Sequence, residues 1–157
     1  MNWVLALDGD QIHQLDMRPA RALVERILAE PPAAQQQVRL QIDFPRPAED
    51  PRELPEIPEV RLWFVRCDSL FPWLPFFLDW KEGELARYTA MLVPHQFNLK
   101  EGIQYHPEAL EIFLMSKIFV LTPWLREHQV GGGADLRHMA QLLGYDIDPA
   151  LFTLLES

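Results

Sequence analysis

Residues 38–44 read Val-Arg-Leu-Gln-Ile-Asp-Phe, and apolar and polar side chains alternate along them with a period of two. Because successive side chains of a β-strand point to opposite faces of a sheet, this pattern predicts a half-exposed strand. Toward the N-terminus, residues 3–7 (Trp-Val-Leu-Ala-Leu) predict a buried strand. Between the two strands, residues 18–30 predict an amphipathic helix with Pro19 in its first turn, ended by Pro31-Pro32.

Downstream of residue 44 the pattern predicts two more strands and then only helices. Residues 60–66 (Val-Arg-Leu-Trp-Phe-Val-Arg) alternate less regularly and predict a more buried strand, and residues 76–78 predict a short one. The remaining predicted elements are helices over 85–93, 107–121 and 136–143, a short C-terminal helix from Pro149, and a loop over 95–106.

The order of these elements favours an α+β fold. Runs of strands followed by runs of helices predict a small, mainly antiparallel sheet of three to four strands, with an N-terminal β-α-β-β order and the C-terminal helices packed on one face. An arrangement in which the first helix crosses between parallel strands stays open, because the chain begins with strand, helix and strand. The length of 157 residues predicts a single domain, residues 1–157.

The composition excludes several classes of protein. Lys and Arg number 14 against 23 Asp and Glu, a net charge of −9, which argues against binding to nucleic acid or to an anionic membrane surface. The most apolar stretch, residues 112–125, is interrupted by Ser116, Lys117 and Pro123, so we expect no stable membrane insertion. The N-terminus has no basic segment before its short apolar run, which predicts a cytoplasmic protein.

Catalytic and metal-binding patterns are weak. The chain has no GxGxxG, GxxxxGK[ST], HExxH or GxSxG motif, and Gly131–Gly133 lacks the strand and the lysine of a phosphate-binding loop. The histidines are scattered, so we expect no metal, although His95, His106 and His128 could meet in space. Cys67 is the only cysteine, and one thiolate is a poor ligand set for an iron–sulfur cluster. We therefore expect no cofactor and no catalytic residue.

One enzymatic alternative stays open. Arg87 lies on an otherwise apolar predicted helix and needs a carboxylate partner. Asp79, Glu82 and Glu84 precede its position and His95 follows it, so a pocket around Arg87, His95 and Asp79 would serve a small enzyme of unknown reaction. Acidic residues at a helix start also stabilise the helix dipole without any catalysis, which is the interpretation we favour.

A proline-rich arm, residues 45–58, separates two of the predicted strands. It contains five prolines, and residues 43–59 carry six acidic side chains against two arginines. Prolines resist both helix and sheet, so the arm is either a stiff, solvated connection or an acidic surface for a basic partner. In the second interpretation Arg52, Glu53 and Glu56 contact the partner.

An aromatic run, Phe71 to Trp80, contains five aromatic side chains in ten residues, interspersed with prolines. Such rings either fill a core or anchor a protein partner. Trp73 stands between two prolines, where no regular strand pairing forms, so we expect its ring at a partner surface with Phe71 and Trp80. Trp63 lies inside a predicted strand, and we expect it in the core.

Longer stretches of the chain resemble one protein family. The matching stretches are Asp50–Phe64, Pro72–Pro75, Leu78–Trp80, Gly83–Tyr88, Met91–Gln96, Pro107–Phe113 and Met139–Gly144. Together they are similar to the chlororespiratory reduction 6 family, and the resemblance runs from about residue 38 to the C-terminus. A run of fifteen such residues, Asp50–Phe64, is more specific than any short catalytic motif.

The resemblance implies a soluble assembly factor of oxygenic phototrophs, here of the cyanobacterial form. Its implied partner is an immature iron–sulfur subunit of the hydrophilic arm of the photosynthetic NADH-dehydrogenase-like complex. The assembly factor itself does not remain in the finished complex. The family commonly has asparagine at the position of His106, which weakens a metal role there. We therefore expect an interaction protein and not an enzyme, with Arg87 and His95 also at the partner-binding surface.

Overall fold

The computed structural model describes residues 3–30 and 37–156. The chain divides into two compact units, Met1–Tyr105, which is mixed α and β, and His106–Ser157, which is helical. The prediction of a single domain over residues 1–157 stays a prediction, because a compact unit within a chain need not fold alone.

A two-stranded parallel sheet opens the first unit. Strand β1 (Trp3–Asp8) pairs in parallel with β2 (Val38–Asp43), from Trp3 opposite Val38 to Asp8 opposite Asp43. Parallel strands need a crossover connection, and the intervening chain includes α1 (Gly9–His13) and α2 (Arg18–Ala29). The predicted mainly antiparallel sheet is therefore wrong for this pair, and the parallel alternative is confirmed.

Side-chain patterning explains these first elements. The Asp8 carboxylate accepts a hydrogen bond from the Gln11 N–H, and the Gln11 side chain accepts one from the Asp8 N–H, both at 2.9 Å. This capping box starts α1. The predicted end of α2 at Pro31-Pro32 lies outside the described residues. The apolar face of α2 is buried as predicted, through Ala20, Leu23, Val24 and Ile27. Strand β1, predicted as buried, is buried on one face only: Trp3, Leu5 and Leu7 are buried, whereas Val4 and Ala6 are exposed.

Residues 60–66 belong to a helix, α3 (Pro58–Leu70), so the predicted strand there is wrong. The buried side chains follow the i, i+3, i+4, i+7 spacing of one helix face, and they are Val60, Trp63, Phe64 and Cys67. Pro58 occupies the first turn, where its missing N–H costs nothing. Burial of this face outweighs the β propensity of the segment. Because the segment is a helix and not a strand, the predicted β-α-β-β order is also wrong.

The predicted short strand at 76–78 is mostly a helical turn, α4 (Leu74–Phe77). Only Leu78 extends the sheet, through an isolated parallel bridge to Val38. The Asp79 N–H donates to the Val38 carbonyl at 2.8 Å, which fixes the chain beside β2.

An antiparallel hairpin replaces the loop predicted over 95–106. Helix α5 (Glu84–Leu92), which confirms the helix predicted at 85–93, leads into β3 (His95–Asn98), and β3 pairs with β4 (Gly102–Tyr105). Gly102 has φ of +74°, a left-handed conformation that favours glycine. The four strands of the described residues therefore form two separate sheets of two strands each.

The second unit contains α6 (Pro107–Glu127), α7 (Gly133–Leu142) and α8 (Pro149–Glu156). Helix α6 is the longest, as predicted, and it continues through Pro123. Gly144, which follows α7, has φ of +91°, a left-handed conformation typical of a glycine at a helix end. The short helix predicted from Pro149 is confirmed as α8, and the Asp148 carboxylate caps it by accepting a hydrogen bond from the Ala150 N–H at 2.9 Å.

Candidate functional site

A cleft of about 490 Å³ lies within the first unit, and we call it the signature cleft. Strand β2, the proline-rich arm, helix α5 and strand β4 each contribute to its wall. Most of the lining side chains are apolar, and three are charged. The lining consists of Leu40, Ile42, Arg46, Glu53, Leu54, Pro55, Arg87, Ala90, Met91 and Ile103.

The proline-rich arm has a defined shape where it borders the cleft. The Asp50 carboxylate accepts hydrogen bonds from the Arg52 N–H at 3.0 Å and from the Arg52 guanidinium at 2.8 Å. These bonds lower the pKa of Asp50 to about 2. The Arg46 guanidinium donates to the Arg52 carbonyl, which ties the two halves of the arm together. The arm therefore has a defined shape although most of its side chains are exposed, and its role as a partner surface stays a prediction.

A short 3₁₀ helix, Leu54–Glu56, presents the arm to the cleft. The Glu56 carboxylate accepts a hydrogen bond from the Glu53 N–H at 3.0 Å in a capping-box arrangement. Leu54 and Pro55 are half-buried, whereas the predicted partner-binding residues Arg52, Glu53 and Glu56 are all exposed. Of these three, Glu53 lines the cleft.

A buried carboxylate holds Arg87 at the cleft. The Arg87 guanidinium donates to Glu84 Oε1 at 2.9 Å, which confirms the carboxylate partner predicted for Arg87. The other oxygen, Glu84 Oε2, accepts from the Leu40 N–H at 3.4 Å and so links α5 to β2. The Glu84 side chain is 2% exposed and that of Arg87 is 61% exposed. Burial raises the pKa of Glu84, and the Arg87 charge opposes that shift.

His95 and Asp79, the other members of the predicted catalytic pocket, are absent from the described lining of the cleft. His95 Nδ1 lies 3.0 Å from the Val93 carbonyl, and its ring lies 6.1 Å from that of Tyr105. The Asp79 carboxylate accepts from the Lys81 N–H at 3.0 Å and thereby shapes the turn before α5. Of the three residues, only Arg87 borders this cleft.

The aromatic run divides between core and surface. Phe71 is 7% exposed, and the Arg21 guanidinium lies 5.9 Å from its ring centroid. Trp73 is half-buried, with its ring edge-on to that of Phe71 at 6.2 Å. Trp80 is also half-buried, and its Nε1 donates to the Pro75 carbonyl at 3.5 Å. Partner contact through Phe71, Trp73 and Trp80 stays a prediction, and Trp73 and Trp80 are more exposed than Phe71.

Two of the histidines make local contacts at the ends of α6. His106 Nδ1 accepts a hydrogen bond from the Ala109 N–H at 3.3 Å at the start of α6. The His128 ring stacks on that of Trp124 at 4.3 Å, at the other end of α6. Within residues 3–30 and 37–156, no group of three or more His, Cys, Asp and Glu side chains could hold a metal ion. No helix in those ranges has the length and hydrophobicity to cross a membrane.

Sequence reasoning missed several residues of the cleft. Leu40 and Ile42 are the apolar positions of a predicted half-exposed strand, but their sequence pattern does not reveal what covers them. Met91 appears as one more apolar residue of a helix. Ile103 lies in a segment predicted as a loop, so no local signal linked it to β2.

The comparisons with known proteins agree with the earlier resemblance. The family model described as Chlororespiratory reduction 6 matches residues 7–154, nearly the whole chain. No solved structure matches the chain. Three of the resembling stretches, Asp50–Phe64, Gly83–Tyr88 and Met91–Gln96, each supply residues to the signature cleft. The chain therefore belongs to the Chlororespiratory reduction 6 family, and this membership implies a role in the assembly or accumulation of the NADH-dehydrogenase-like complex.

Proposed function

We propose that this protein is a non-catalytic assembly factor that binds an immature iron–sulfur subunit of the hydrophilic arm of the photosynthetic NADH-dehydrogenase-like complex. In this proposal it acts in the cytoplasm of a cyanobacterial cell, and the signature cleft is the binding surface. The observation that carries the proposal is the convergence of three family-resembling stretches on this one cleft.

The chemistry of the cleft suits a protein segment. Interfaces between proteins combine an apolar centre with a polar rim, and the cleft has an apolar lining with three charged side chains, Arg46, Glu53 and Arg87. The carboxylates of Asp43, Glu49, Glu53, Glu56 and Glu59 are exposed along and beside the proline-rich arm. A client segment with one or two apolar side chains, flanked by Lys or Arg, would complement both features.

The enzymatic alternative has less support. A catalytic site needs polar groups that converge on one reacting atom, and only Arg87 of the three proposed residues borders the cleft. Its guanidinium already pairs with Glu84, which accounts for its position without a substrate. A binding role therefore explains the arrangement with fewer assumptions.

Affinity capture with a matched pair of variants tests the proposal. Leu54→Glu places a carboxylate in the cleft at a half-buried position, whereas Leu99→Glu places one at the hairpin turn, where Leu99 is 94% exposed and absent from the described lining. Tagged chains are incubated with the soluble fraction of a cyanobacterium, and bound subunits are identified by mass spectrometry. We expect the wild-type chain and Leu99→Glu to retain the iron–sulfur subunit, and Leu54→Glu to lose it.

Thermal melts of the three chains show whether folding is preserved. If Leu54→Glu melts like the wild type and still captures the subunit, the cleft is not the binding surface. If the wild-type chain captures no hydrophilic-arm subunit, the proposed partner is wrong.

A further inference from the structure

The two edges of strand β2 differ in their hydrogen bonding. On one edge β2 pairs with β1: the Trp3 N–H donates to the Gln37 carbonyl at 3.2 Å, and Trp3 lies opposite Val38. Alternate residues of a strand direct their N–H and C=O groups to opposite edges. Because residue 37 faces β1, residues 39, 41 and 43 also face it, and residues 38, 40 and 42 face the other edge. We call this second edge the outer edge of β2.

Only the first part of the outer edge is paired. The Asp79 N–H donates to the Val38 carbonyl at 2.8 Å, and Glu84 Oε2 accepts from the Leu40 N–H at 3.4 Å. The Leu40 carbonyl and both backbone groups of Ile42 make no hydrogen bond with any residue in the ranges that the structure describes. Such unpaired groups on a strand edge are a template for an added strand. The outer edge therefore offers one donor and two acceptors to another chain.

This open part of the outer edge borders the signature cleft. Leu40 and Ile42 both line the cleft, and both are half-buried. The lining also includes Ala90 and Met91 of α5 and Ile103 of β4, which offer apolar contacts to the side chains of an added strand. The cleft thus combines unpaired backbone groups with an apolar surface, as sites of β-strand addition do.

We infer that the client binds this edge as an extended segment, by β-strand addition. The inference rests on the proposed function and gives the conformation of the bound segment. In either strand direction, two N–H groups of the segment, two residues apart, donate to the Leu40 and Ile42 carbonyls, and one of its carbonyls accepts from the Ile42 N–H. Alternate side chains of the segment pack on the apolar lining, and a Lys or Arg beside them pairs with the exposed Glu53 carboxylate. A helical segment does not make these bonds, because its N–H groups are already bonded within the helix.

Peptides with single N-methylated amides test this inference on the full-length chain. Short overlapping peptides that cover the sequence of the iron–sulfur subunit are first screened for binding by fluorescence anisotropy. In the peptide that binds, each amide is then methylated in turn, which removes one donor and places a methyl group against the strand edge. We expect two amides, two residues apart, whose methylation weakens binding by roughly tenfold or more. Methylation of the amide between them should leave the affinity nearly unchanged, and equal effects at all three amides would overturn the inference.

Amide hydrogen exchange followed by NMR measures the same contact on the protein. In the free chain we expect the Ile42 amide to exchange faster than the Gln41 amide, because Gln41 faces β1. With saturating peptide the Ile42 amide should exchange at least roughly tenfold more slowly, whereas the Gln41 amide changes little. An Ile42 amide that gains no protection at saturation shows that the segment does not pair with β2.

The outcomes separate this inference from the proposed function. If the wild-type chain captures the iron–sulfur subunit but none of its peptides binds, or one binds without the alternating effect of methylation, the extended segment is wrong and the assembly role stands. If neither the subunit nor any of its peptides binds, both are wrong.

Discussion

Replacing Trp63 and Trp73 separately by alanine compares a core ring with a ring at the surface. Trp63 is 0% exposed, its Nε1 donates to the Asp16 carbonyl at 2.8 Å, and its ring packs edge-on against Phe64 at 4.9 Å. Trp63→Ala creates a cavity and removes this donor, so we expect a loss of about 3–5 kcal/mol from a stability of about 5–15 kcal/mol. At about 2–4 °C per kcal/mol for a chain of this size, the melting temperature falls by about 6–20 °C.

Trp73 is only half-buried, so the expected loss of stability is smaller. We expect Trp73→Ala to cost about 1–2 kcal/mol, a fall of about 2–8 °C in melting temperature, with a cooperative transition. If Trp73 anchors the client, the same substitution weakens client binding by about 2 kcal/mol or more. Thermal and urea unfolding followed by circular dichroism measure the melting temperature and the free energy of unfolding, and client capture measures binding. A fall in melting temperature for Trp73→Ala as large as that for Trp63→Ala would place Trp73 in the core and refute its role as an anchor.

Three further predictions concern charge and metal. Association of the protein with its client should slow as salt rises, because salt screens the exposed carboxylates of the proline-rich arm; rates measured by stopped flow that do not change with salt would contradict this steering. Burial raises the pKa of Glu84, so its folded state holds the proton more tightly, and its contribution to stability is present at low pH and lost as the pH rises through the folded-state pKa. Glu84→Gln cannot lose this contribution, so its free energy of unfolding minus that of the wild type should increase as the pH rises from about 4 to about 7. Urea unfolding at both pH values measures this difference, and a difference that stays constant contradicts the prediction. The purified protein should contain no stoichiometric zinc or iron; elemental analysis that finds about one metal per chain, lost on mutation of His95, would show the reverse.

Local sequence patterns predicted the elements that are determined by residues close together in the sequence. The period-two pattern of β2, the amphipathic face of α2 and the start of α8 at Pro149 depend on neighbours within a few positions. Helix α3 was not predictable in this way, because Val60 to Arg66 is rich in residues that favour strands. The deciding fact is that Val60, Trp63 and Phe64 share one buried face, which depends on contacts distant in the sequence.

The site was harder to predict than the elements. The sequence singled out the proline-rich arm, Arg87 and the aromatic run, and two of these three border the signature cleft. The remaining wall depends on β2 and on the 95–105 hairpin, which meet α5 only after the first unit has folded. The family resemblance identified the stretches that matter, but it gave no geometry. Only the structure shows that Ile103 and Leu54 line the same cleft.

The shape of the proline-rich arm affects the entropy of any binding event at the cleft. A disordered segment that folds on a partner loses conformational freedom at that moment, and the loss reduces its affinity. Here the five prolines, the Asp50–Arg52 pair and the bond from Arg46 already restrict the backbone before a partner arrives. Substitution of Asp50, which is absent from the described lining of the cleft, would therefore weaken binding by increasing the disorder of the free protein.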